Sequence, residues 1–219
     1  MTNVALRSVL LMLPLLCALQ RQGLAQQPQA FDHQLERFTL LAIEGKVAEA
    51  EAFLSLPGFI HAADQEGHTA LFAAAVAGNL RILDRVLALS PKLDLCDVKG
   101  ATALFYSASG RAEIAGRLIQ HGADINLQDR NGKSPLMVAV LMNHRDTVRL
   151  LLAAGADIDR QDRAGATALF YAAEAGLFEL AELLVKGGAN AQLANLSGLT
   201  PMEIAEAKFF PKIVHLLHD

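Results

Sequence analysis

Five glycines, Gly67, Gly100, Gly132, Gly165 and Gly198, open copies of one short pattern at steps of 33, 32, 33 and 33 residues. A hydroxyl residue and an apolar pair follow each of them: Thr69-Ala70-Leu71, Thr102-Ala103-Leu104, Ser134-Pro135-Leu136, Thr167-Ala168-Leu169 and Thr200-Pro201-Met202. A second recurrence, Gly122-Ala123-Asp124, Gly155-Ala156-Asp157 and Gly188-Ala189-Asn190, runs in phase with the first. A unit this short cannot bury its apolar residues alone, so the copies have to stack on one another.

The turns Asp64 to Gly67, Asp97 to Gly100, Asp129 to Gly132 and Asp162 to Gly165 suit a tight bend: Asp bonds the backbone two residues on, and Gly accepts positive φ. The Thr or Ser two positions later is placed to cap a first helix. On that helix Leu71, Ala74 and Ala75 share a face, as do Leu169, Ala172 and Ala173. Gly78, Gly110, Asn143 and Gly176 end it. A second helix follows with its own apolar set, Thr147, Val148, Leu151 and Leu152 in one copy and Leu180, Ala181, Leu184 and Val185 in the next. Gly122, Gly155 and Gly188 close that helix. Aromatic content is only 5% with no Trp, as close helix packing on alanine requires.

This pattern resembles the ankyrin repeat, over residues from Phe31 to the C-terminus. The resemblance implies an all-α solenoid of paired antiparallel helices with protruding hairpin-like loops. Six repeats fall near 31–63, 64–96, 97–128, 129–161, 162–194 and 195–219, the first and last being degenerate caps. Two departures stand out. Repeat three has ten positions from Gly100 to Gly110 where the others have eleven, which predicts a pinch around Ser107 to Gly110. Where the family has His in its Thr-Pro-Leu-His stretch, this chain has Phe72, Phe105, Met137 and Phe170. That His knits neighbouring loops in the family, so the loops here lose that link.

Residues 1–25 do not belong to the repeat. Arg7 precedes an apolar run, Val9 to Leu19, and Gly23-Leu24-Ala25 supplies small residues before a break. The run is too short to span a bilayer and reads as a secretory signal peptide cut after Ala25. Gln26 to Ala30 is a polar lead-in, expected to be mobile. Cleavage removes Arg7 and Arg21, taking the basic count from 19 to 17 against 23 acidic residues, a net charge of −6. An acidic chain is a poor general nucleic-acid binder. Cys96 alone would remain, so no internal disulfide forms, and it is expected to be a small buried residue ahead of the Asp97 turn. The simple leader and the missing disulfides lean towards bacterial export, the periplasm before the medium.

Chemistry is sparse. Gly132-Lys133-Ser134 imitates the end of a phosphate loop, but Leu127 stands where that loop needs a glycine. His215 and His218 share a helical face at a solvated end and are not expected to hold metal. No nucleophile elbow, Cys-His pair or convergent carboxylate pair occurs, so neither cofactor nor catalysis is expected. Asn195-Leu196-Ser197 has the spacing of a glycosylation acceptor.

What remains is surface. The resemblance implies a partner protein bound through loop tips and the concave face of the first helices, by a monomer without catalysis. Carried over by position, the tips include Lys99 and Ala101, Arg130, Asn131 and Lys133, and Arg163, Ala164 and Ala166; the inner-helix positions include Val76, Leu141, Met142 and Glu174. Lys99, Arg130, Lys133 and Arg163 form a basic strip across an acidic molecule, and Leu141 and Met142 add an apolar anchor. Together they suit a partner with an acidic surface. Small exported members of this plan resemble accessory proteins that support an enzyme, some linked to catalase. An inhibitor that neutralises a toxin and a host-directed effector are the other roles such a surface would fill.

Overall fold

The computed structural model describes residues 28–218; the leader assigned to residues 1–25, and Asp219, lie outside them. Within the described residues, twelve helices form antiparallel pairs. They are α1 (Pro28–Ile43) with α2 (Val47–Leu54), α3 (Ala70–Ala77) with α4 (Leu80–Leu87), and α5 (Ala103–Ser107) with α6 (Ala112–Gln120). The second half adds α7 (Pro135–Leu141) with α8 (Arg145–Ala153), α9 (Ala168–Glu174) with α10 (Phe178–Lys186), and α11 (Pro201–Ala207) with α12 (Pro211–His218). Helix α1 begins inside the stretch read as a lead-in. It also runs through the place where later repeats have a turn, which suits a capping unit whose Phe31 and Gln34 replace the turn Asp and Gly.

The first helix of every later repeat starts at its expected cap. The side-chain oxygens of Thr69, Thr102, Ser134, Thr167 and Thr200 accept from the backbone N–H three residues on. Between the paired helices the chain enters the left-handed region at Gly45, Gly78, Gly110, Asn143, Gly176 and, in the last repeat, Phe209. At Gly110 and Gly176 the next repeat stacks directly on the bend. A Cβ at Gly176 would lie 2.6 Å from the Phe210 ring, and one at Gly110 would lie 2.7 Å from the His144 imidazole. The missing residue of repeat three shortens α5 to five residues. The Ser107 and Ser109 hydroxyls donate back to the carbonyls of Leu104 and Tyr106 at 2.8 and 2.7 Å, adding to the backbone bonds those carbonyls already accept.

Burial follows the two faces read from the pattern. Leu71, Ala74, Ala75, Leu169, Ala172 and Ala173 on the first helices, and Val148, Leu151, Leu180, Ala181 and Leu184 on the second, are buried. The alanines let neighbouring helices approach along the whole stack. Four rings cluster at the N-terminal cap, where Phe31, Phe38 and Phe53 each lie 5.4 to 6.5 Å from Phe59 or from one another. A cap has a neighbour on one side only, so rings can fill there what a closely approached helix fills elsewhere.

Cys96 departs from expectation, being exposed. It belongs to the loop leading into the Asp97 turn and not to a helix face, and its thiol reaches only the Asp94 carbonyl at 3.5 Å. Ala101 and Ala166 also depart, in the opposite sense. Placed among the tips by position, they are buried, because the chain turns inward immediately after the glycine and returns its carbonyl to the turn Asp N–H.

Candidate interaction surface

The turns are built alike and stacked on one another. In each, one side-chain oxygen of the leading residue accepts two backbone N–H groups. Asp97 takes those of Lys99 and Ala101, Asp129 those of Asn131 and Lys133, Asp162 those of Ala164 and Ala166, and Asn195 those of Ser197 and Leu199. The side-chain oxygen of Asn195 is thus committed to its turn. Neighbouring turns are joined by one backbone bond each: Val98 N–H to Glu66 O, Arg130 N–H to Lys99 O, Arg163 N–H to Asn131 O and Leu196 N–H to Ala164 O, at 2.8 to 3.0 Å. The main chain itself thus links the turns of this chain, which lacks the family's His.

Side chains reinforce that ladder in ways the pattern does not announce. The Gln128 amide donates to the carbonyls of Gly132 and Gln161, and the Gln161 amide to those of Gly165 and Ala194, so each bridges two repeats. Tyr106 donates to Asp97 at 2.7 Å and Tyr171 donates to Asp162. Burial works to raise the Asp97 carboxyl, but the Ala101 N–H, the Tyr106 hydroxyl and the Lys99 N–H outweigh it and hold it below its ordinary value. Its contribution to stability is present above the ordinary carboxylate value and is lost as pH falls through the lowered one.

Both phenols move the other way. Burial, then the bond to Asp97, pushes Tyr106 up to about 12. Burial, then the bond to Asp162, raises Tyr171 as well, with Glu174 adding to the effect. The stability these groups contribute is complete below the ordinary phenol value and is lost as pH rises through the raised one. They are the two tyrosines of the chain. Tyrosinate absorbance of folded protein is therefore expected to stay flat through the ordinary phenol value of 10.0 and to rise only near 12. A phenol ionising at its ordinary value while helicity is intact would contradict the Asp-Tyr contacts.

The residues singled out by sequence occupy three settings. Lys99, Arg130, Asn131 and Arg163 are exposed on consecutive, hydrogen-bonded turns. Among the described residues, none of these three basic side chains has a carboxylate within 4.0 Å. Lys133 is half-buried, its ammonium 5.2 Å over the Tyr171 ring, so it spans from its own turn to the next repeat. Leu141 and Met142 end α7, Leu141 half-buried and Met142 57% exposed, while Glu174 is exposed at the corresponding end of α9. The basic strip and the apolar pair are thus at opposite ends of α7, about 10 Å apart along a seven-residue helix. Tyr106 and Tyr171 join this surface without having been read from the sequence. Their only signal was position, immediately after the Phe that replaces the family's His.

At the N-terminal end, α1, α3 and the Asp64 turn enclose an open groove of about 690 Å³. Among the described residues no group of three or more His, Cys, Asp or Glu converges as a metal site, and no helix is long and apolar enough to cross a membrane.

A family model for ankyrin repeats matches three overlapping stretches, residues 38–129, 87–162 and 136–219. Similar proteins include the potassium channel AKT2/3 of Arabidopsis thaliana, 35% identical over 37% of this chain and 10% of that protein. The SMC5-SMC6 complex localization factor protein 1 of Homo sapiens is 38% identical over 43% of this chain and 9% of its own length. The fibronectin type 3 and ankyrin repeat domains 1 protein of Mus musculus is 53% identical over 17% and 11% respectively. The chain thus spans about a tenth of the length of these relatives.

Proposed function

The chain belongs to the ankyrin-repeat family, and from that premise we propose that it is an exported, non-catalytic module that docks an acidic surface of a partner protein. One observation carries the reading. Lys99, Arg130 and Arg163 stand outward on stacked turns, while the Asp97, Asp129 and Asp162 beside them have their carboxylates engaged by the turns' own N–H groups. Positive charge therefore faces the solvent on turns that main-chain bonds hold to one another. Met142 supplies an apolar contact at the other end of α7, the kind of residue that adapts to a partner's shape. Export rests on the apolar run Val9 to Leu19 and the small residues ahead of residue 26. A role beside a periplasmic enzyme, catalase included, fits such a module.

Capture of proteins from an extract of the chain's own cells, identified by mass spectrometry, tests the reading. Retention of a protein with an acidic surface at micromolar concentration is expected, and nothing retained would overturn it. Met142→Ser, at a site exposed enough to leave the fold intact, is expected to weaken that capture about tenfold. Unchanged capture would remove the apolar anchor from the reading.

A further inference from the structure

The groove at the N-terminal end carries the opposite charge to the central strip. Its ionisable lining is Asp32, Glu36, Asp64, Glu66 and His68, with no Lys or Arg among them. Two of the carboxylates are committed: Asp32 accepts from the Gln65 amide at 3.0 Å, and Asp64 accepts the N–H groups of Glu66 and His68. Glu36 and Glu66 take part in no turn, and each meets a single imidazole. Their side chains are 74% and 71% exposed, and their neighbours within 4.0 Å are imidazoles, His33 at 3.4 Å and His68 at 3.7 Å.

The floor between them is apolar. Leu40 is 59% exposed there, and Phe72 and Val76 are half-buried. Phe72 is held rigidly, stacked on the His68 ring at 4.1 Å and meeting the Tyr106 ring edge-on at 4.7 Å. The groove's volume lies within the usual range for a concave binding site of roughly 300 to 1,000 Å³. Two largely exposed carboxylates on the rim, an exposed leucine and a fixed aromatic ring fit a side chain that is both cationic and flat beside one that is apolar.

We infer that this groove docks a partner segment in which an arginine is flanked by a large apolar residue, the guanidinium meeting Glu36 and Glu66 and the apolar neighbour lying against Leu40, Phe72 and Val76. This site is separate from the central strip. A partner using both lies along the concave face in one orientation, with its cationic segment at repeats one and two and its acidic surface over repeats three to five.

Fluorescence anisotropy of the intact protein tests the inference with three short labelled peptides. One alternates arginine and leucine, the second has serine for each leucine, and the third has glutamate for each arginine. The first is expected to bind, the second at least about tenfold more weakly, and the third not at all. Glu36→Lys with Glu66→Lys, and separately Leu40→Ser, are expected to weaken the first peptide about tenfold each, at unchanged helicity; these are exposed positions whose replacement leaves the core untouched. Arg130→Glu with Lys133→Glu and Arg163→Glu is expected to leave its affinity no lower, which separates failure here from failure of the central strip. Equal binding of the serine peptide, or indifference to the groove variants, would overturn the inference. Concentration-dependent self-association lost in the Glu36→Lys, Glu66→Lys variant would also overturn it, by making the occupant a second copy.

Discussion

Gly165→Ala is expected to lower the free energy of unfolding by about 3 kcal/mol, while the same change at Gly198 costs about 1 kcal/mol. The two glycines occupy equivalent turns and nearly equal conformations, φ 74° and 79°. What separates them is the neighbour. A Cβ at Gly165 would lie 2.7 Å from the Leu196 backbone nitrogen and 3.1 Å from the backbone of Asn195, whereas one at Gly198 meets nothing within 4 Å. Left-handed strain is common to both, so the difference isolates the contact between stacked turns. Gly132, whose Cβ would lie 2.7 Å from the Arg163 nitrogen, belongs with Gly165. Urea unfolding followed by circular dichroism measures the three variants. Equal losses at Gly165 and Gly198 would mean that the turns do not stack as closely as their backbone bonds require.

That stacking explains why the fold could be read so directly from the chain. A residue needed in the inner copies recurs there: the turn Asp, which is Asn195 in the last turn, the glycine, the capping hydroxyl and the small apolar face are each found in their expected roles. Features that occur once or twice escape such a reading. Tyr106 and Tyr171 each donate to the turn Asp of their own repeat, but a tyrosine next to a phenylalanine on an inner helix is also an ordinary core pair. Gln128 and Gln161 recur at the 33-residue step without belonging to the motif. Ala101 and Ala166 fall at the tips by position and in the interior by structure, because linear distance from the turn glycine does not show that the chain has already turned inward.

Phe209 shows the limit from the other side. It takes up φ 60° where other repeats have Gly or Asn, and its ring is 88% exposed. At Gly110 and Gly176 the following repeat presses on the bend, and none of the described residues does so at Phe209. Of the candidate site, the charges were legible because the turns place them outward by construction. The groove at the N-terminal end was not, since it is formed between the cap, where the motif is missing, and the first complete turn.

The central claim is that the strip formed by Lys99, Arg130, Lys133 and Arg163 holds the partner. Three of these residues, Arg130, Lys133 and Arg163, lie on two adjacent turns joined by the Arg163 N–H to Asn131 O bond at 3.0 Å. Reversing all three leaves the stack intact, because the ladder is made by main-chain atoms and by the turn Asp residues; the packing of the Lys133 ammonium over the Tyr171 ring is all that the reversal takes from neighbouring repeats. Each reversal replaces an attraction at an interface rim by a repulsion, at about 1 kcal/mol apiece. The combined effect expected is a loss of roughly a hundredfold in partner affinity. It should be carried mainly by a slower association that depends on ionic strength, since charges of this kind act through steering. The decisive measurement is partner binding by Arg130→Glu, Lys133→Glu, Arg163→Glu protein beside the unaltered chain, with helicity checked in both. A loss near a hundredfold at equal helicity is the expected result, and equal binding at equal helicity would contradict the claim.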